Sequence, residues 1–166
     1  MTTLRVVRPR SRYEWLAFSW HFATFAVAAT GVLWRLYLSA IGYDDEPGPD
    51  GAYPSALTRV IRYFSFFTIE SNIFVVAAIA LLVMNVHYDG KLWRVVRIAG
   101  LYGIAVTGVI YALLLRDTSH LHGQAVVTNA LLHYFAPPMA VLGWLLFGPW
   151  PRIDTRTLWV SMIWPA

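Results

Sequence analysis

The chain has 166 residues, 58% of them hydrophobic and only 13% charged, with a formal net charge of +4. About a quarter of an ordinary soluble domain is charged, so this composition excludes a typical soluble fold and points to an integral membrane protein. Cysteine is absent, which excludes disulfides, thiolate nucleophiles and Cys-based metal sites.

The N-terminus, MTTLRVVRPRSRYEW, is basic and leads into a long apolar stretch. A signal peptide would carry a shorter apolar core and a small-residue cleavage site, so this reads as a retained first membrane helix. A spanning helix needs about 20 mostly apolar residues. Four segments qualify, 15–41, 60–86, 92–115 and 125–147. YDDEPGPDGAYPSALTR joins the first two and reads as a loop. HYDGK turns the second into the third, and RDTSHLHGQ joins the third to the fourth. GPWPRIDTRT then stops the fourth. The last segment, TLWVSMIWPA, rises only about 15 Å as a helix and is too short to cross. The expectation is an all-α, polytopic transmembrane bundle over residues 1–166: one domain, four full spans and the start of a fifth, with at least one last helix missing.

Charge sets the expected orientation. Arg5, Arg8, Arg10 and Arg12, then Lys91, Arg94 and Arg97, then Arg152 and Arg156 fall on one side of alternating helices. Asp44, Asp45, Glu46 and Asp50 fall on the other. The positive-inside rule places the N-terminus in the cytoplasm of a multi-pass cell-membrane protein. Arg35, Arg59, Arg62 and Arg116 are exceptions near the outer ends, able to snorkel or to pair with acids. Basic residues gathered at helix ends are flanks, and no nucleic-acid partner is expected.

Polar residues inside the spans carry the functional argument. Thr68, Ser71 and Asn72 follow an i, i+3, i+4 pattern in FFTIESN. Asn129 and His133 are i, i+4 on the fourth span, beside Thr128. Thr68 and His133 each lie about 12 Å below the outer face, and Thr107 reaches the same level from the inside. Glu70 lies about 200° around from Thr68 and points elsewhere, with Arg35 as the nearest partner by depth. A membrane Thr commonly bonds back to the carbonyl four residues earlier, here that of Phe64. Ser71 and Asn72 can equally join helices. An intramembrane His, however, is a functional hypothesis in its own right. Pro137 and Pro138 free backbone carbonyls one turn past His133, which can kink the helix and open a cavity. His21 reads as a helix contact, and His120 and His122 as exposed loop residues with no third metal ligand.

A hydroxyl needs a neighbouring base to attack at neutral pH, and histidine can serve. Thr68 as nucleophile and His133 as base therefore allow hydrolysis of a lipophilic ester that enters from the bilayer. Asn72 or Asn129 could orient the His or serve the oxyanion, and Ser71, Asn72, Thr107 and Asn129 make up the expected substrate-binding layer. No cofactor or metal is required. The alternatives are a non-enzymatic transporter or sensor of a lipophilic compound and, third, a haem or quinone protein using His21 and His133.

The segments FFTIESN and NALLHYFAPPMAVLGW together resemble the androgen-induced-gene family of multi-pass membrane proteins. The resemblance implies a threonine hydrolase of fatty acid esters of hydroxy fatty acids. Thr68 matches the family's catalytic Thr and His133 its catalytic His. Asn129 matches the preceding Asn, and Pro137 or Pro138 the following proline. Animal members carry an acid three residues after the Thr, where this chain has Ser71, and they continue beyond the point corresponding to IWPA.

Overall fold

A computed structural model describes residues 11–43, 45–118, 121–150 and 153–164, without the side chain of residue 118. The basic residues Arg5, Arg8, Arg10 and Arg152, the loop acid Asp44 and His120 lie outside the described residues. The described residues form helices α1 (Arg12–Ile41), α2 (Ala56–Phe64), α3 (Phe67–Met84), α4 (Lys91–Ile110), α5 (Gln124–Ala130), α6 (Ala136–Phe147) and α7 (Thr155–Ile163). A π-helical turn, Tyr111–Leu115, continues α4, and another, Leu131–Phe135, joins α5 to α6. The protein is an all-α bundle in which, among the described residues, four helical rods are long and apolar enough to cross a membrane: 12–41, 67–84, 91–115 and 124–147. Their outward faces carry large apolar side chains such as Leu33, Met84, Leu113 and Leu146, as a lipid-facing surface requires.

Each rod starts where its sequence supplies a cap or a break. Ser11 and Glu14 form a reciprocal capping box at the head of α1, and Gly42 ends that helix in the left-handed conformation at φ 73°. Asp154 accepts from the Thr157 amide and caps α7. Small residues bring the rods together. A Cβ at Gly100 would lie 3.1 Å from backbone atoms of Phe74 and Val75, so α4 rides directly on α3. Gly31 receives Leu131 and Leu132, and Gly143 receives the Trp20 ring. The central core is built from Ala28, Val75, Ile79, Ile104, Ala136 and Ala140.

Side-chain contacts pair the ends of the rods as alternating spans require. At one end, Tyr13 donates to the Leu146 carbonyl at 3.1 Å, and His87 pairs with Glu14 at 2.8 Å. At the other, Arg59 ties Asp45 (3.2 Å) to the Pro54 and Ala40 carbonyls, and Tyr63 donates to the Val32 carbonyl at 2.7 Å. Helix α7 returns from the first end and packs along α4.

Two expectations change. The second span is not continuous from residue 60. Ser65 bonds back to the Ile61 carbonyl and closes α2, Phe66 is extended at φ −81°, ψ 121°, and α3 starts afresh at Phe67. Arg97, counted among the basic flanks, is buried in the bundle, with 6% exposure.

Candidate functional site

The break before Phe67 decides the environment of Thr68. Instead of lying two turns inside a helix, Thr68 is the second residue of α3. The first amides of a helix have no partner within it. Here those of Ile69 and Glu70 return to the Phe66 carbonyl, at 2.8 and 3.1 Å. The amides of Phe67 and Thr68 have no acceptor among the described residues. Free N–H groups and the positive end of the helix dipole therefore lie at the helix start that carries Thr68.

The opposite wall is made by the π-turn at Leu131–Phe135. Pro137 and Pro138 cannot donate, so the carbonyls of His133 and Tyr134 lose their usual partners four residues on. The helix widens by one residue, and the Ala136 amide reaches back to the Leu131 carbonyl. His133 sits in the middle of this turn, and its Nε2 lies 3.2 Å from Thr68 Oγ1. His133 Nδ1 lies 3.2 Å from the Asn129 carbonyl, which can only accept. Nδ1 therefore carries the proton, and in the neutral ring Nε2 accepts from the Thr68 hydroxyl.

Tyr111 opens the π-turn that continues α4 and stacks on the His133 ring, with centroids 4.1 Å apart and an interplanar angle of 29°. Its phenol oxygen accepts from Asn129 Nδ2 at 2.6 Å. Gly108, one turn earlier on α4, packs against Pro137 and sets this approach. Thr68, His133, Asn129 and Tyr111 line one cavity of about 270 Å³. Its other walls include Arg35, Tyr63 and Leu132, and its lining is mainly apolar.

The structure thus brings together Thr68, His133 and Asn129 of the residues singled out from the sequence. It does not bring Ser71, Asn72 and Thr107 to the cavity wall. Ser71 donates to the Phe67 carbonyl at 2.7 Å and receives Thr107 at 3.4 Å, behind the site. Asn72, fully buried, donates to the Thr68 carbonyl at 2.8 Å and reaches the Leu132 carbonyl at 3.4 Å, which joins the two walls. Thr68 does not bond back to Phe64; its hydroxyl partner is His133. Glu70 does point away, but its partner is Trp164, whose Nε1 donates at 3.0 Å, and not Arg35. Arg35 lines the cavity instead.

Tyr111 escaped the sequence reading. The available signal was its position four residues beyond Thr107 on the same helix face. Among the described residues no cluster of potential ligands could hold a metal ion. The chain matches no family model, no curated protein and no solved structure.

Proposed function

We propose that the protein is a membrane-embedded hydrolase of lipophilic esters, with Thr68 as nucleophile and His133 as base. The observation that carries this reading is the 3.2 Å approach of Thr68 Oγ1 to His133 Nε2, with Nδ1 anchored on a carbonyl. A hydroxyl, an oriented base and free amides at a helix start are the parts that acyl transfer needs.

In the first half-reaction Thr68 Oγ1 attacks the ester carbonyl carbon while Nε2 takes the hydroxyl proton. The negative charge that develops on the carbonyl oxygen is met by the Thr68 or Phe67 amide at the head of α3. The tetrahedral adduct collapses, the C–O bond to the alcohol breaks, and His133 returns the proton to the leaving alkoxide. In the second half-reaction water attacks the acyl-threonine, His133 takes its proton, and the carboxylic acid leaves as the hydroxyl of Thr68 reforms. The Tyr111 stack and the Asn129 carbonyl hold the imidazole in place throughout. The mainly apolar cavity suits an acyl chain, and its volume lies just below the about 300–1,000 Å³ usual for ligand pockets. The resemblance to the androgen-induced-gene family points the same way.

The test is hydrolysis of a long-chain ester by detergent-purified protein. Thr68→Ala and His133→Ala should each reduce turnover about as far as the double variant, because the two groups act as a unit. Thr68→Ser should keep part of it. Undiminished turnover in Thr68→Ala refutes the threonine mechanism. Tight binding of the ester with no turnover in the native chain would instead identify a carrier of lipophilic compounds.

A further inference from the structure

Away from Thr68, the bundle buries two ionisable side chains that the hydrolytic chemistry does not use. His21 of α1 is 1% exposed, and Arg97 of α4 is nearly as enclosed. Both ring nitrogens of His21, and Nε and Nη1 of Arg97, have no hydrogen-bond partner among the described residues. Only Nη2 of Arg97 is satisfied, donating to the Gly148 carbonyl at 2.5 Å. The guanidinium also lies over the Trp93 ring, 5.0 Å from its centroid.

His21 and Arg97 line one small cavity together with apolar groups such as Val75, Ile79 and Ala140. About 10 Å³ of it is open to the centre of a water-sized occupant, which is room for one. Among the described residues no acidic side chain lines this cavity, and Arg97 joins none of the ion pairs. A guanidinium buried at membrane depth without a counter-charge is costly.

The donor count selects the occupant. Unpartnered Nε and Nη1 of Arg97 offer N–H donors only, and a neutral His21 adds one donor and one acceptor. Water has two lone pairs and no charge, so it leaves donors unmet and the guanidinium uncompensated. A carboxylate or phosphate brings several heavy atoms, whereas the space holds the centre of one occupant. We propose that this cavity binds one small monovalent anion of the halide class, held by the Arg97 guanidinium and a ring N–H of His21. The ion would join α1 to α4 and, through Gly148, to the turn that leads into α7. This site is separate from Thr68, and the hydrolase reading is not needed for it.

The test uses the full chain, purified in detergent, exchanged into sodium gluconate and titrated with sodium bromide at constant ionic strength. The expected result is a saturable rise in the thermal midpoint, with close to one bromide per chain retained on rapid desalting, as counted by X-ray fluorescence. Arg97→Gln should abolish both. His21→Phe keeps the guanidinium and should weaken bromide affinity by about tenfold, which preserves the test if Arg97→Gln does not fold. Thr68→Ala should respond as the native chain does. Equal midpoints in gluconate and bromide with no bromide retained would overturn the proposal. A bromide response equally strong in His21→Phe would place the ion elsewhere and overturn it too.

Discussion

Replacing Gly108 by valine tests the contact that holds Tyr111 against His133. A Cβ at this position would lie 2.9 Å from Cβ and 3.3 Å from Cγ of Pro137. Ordinary carbon–carbon contact is about 3.5–4.0 Å, so α4 and α6 would have to part by about 0.6–1.1 Å. Neither side can yield by a rotamer change, because one partner is a helix backbone and the other a proline ring. Overpacking of this kind costs about 1–3 kcal/mol. Alanine recovers about 1 kcal/mol from its better helix propensity, so Gly108→Ala should fall between neutral and a loss of about 2 kcal/mol. Valine adds two methyl groups and recovers less, so Gly108→Val should lose about 1–3 kcal/mol. At about 2–4 °C per kcal/mol for a chain of this size, thermal unfolding in detergent resolves the loss. Val109→Ala is the control, since Val109 is 56% exposed on the outer surface. Ester turnover should fall further in Gly108→Val than in the control, because parting the helices loosens the 4.1 Å stack on His133. A Gly108→Val protein as stable as Val109→Ala would refute the close approach of α4 to Pro137.

Tyr111→Phe keeps the stacked ring but removes the acceptor of Asn129 Nδ2; it should cost about 1 kcal/mol in unfolding free energy and slow turnover without abolishing it. Glu70→Gln retains an acceptor for Trp164 Nε1 and should be mild, whereas Glu70→Leu strands the indole N–H and should cost about 1–3 kcal/mol, both read by thermal unfolding. On the α3–α4 turn, the hydrogen-bonding fork of Arg94 holds the Asp89 carboxyl below its usual value. That stabilisation is fully present above the unfolded carboxylate value of about 3.9 and is lost as pH falls through the lower folded value. The midpoints of native and Asp89→Asn protein should therefore differ near neutrality and converge in acid; a gap that persists in acid would contradict the ion pair. For orientation, Gly90→Cys should resist a membrane-impermeant thiol reagent added outside intact cells, and Gly48→Cys should react, since the native chain has no cysteine. The reverse pattern would invert the topology.

Sequence alone determined the class and the frame. Four apolar runs separated by Pro, Gly and charged loops leave a chain no other way to satisfy its backbone in lipid, so spans could be counted from composition and length. Thr68 and His133 stood out for the same reason, since an ionisable or polar group at membrane depth needs a cause. The tertiary structure decided what those residues meet. FFTIESN reads as the interior of a span, and only the extended backbone at Phe66 makes Thr68 a helix start with free amides. The prolines at 137 and 138 foretold a disturbance, but its form, a π-turn that carries His133 toward Thr68, depends on packing against Gly108 and Tyr111. Ser71, Asn72 and Thr107 share a helix face or a depth with the site, yet they bond to backbone and to one another behind it. Helical periodicity fixes a direction to within a face. Which partner occupies that direction is set by neighbouring rods, far apart in sequence, and by how closely their glycines let them approach.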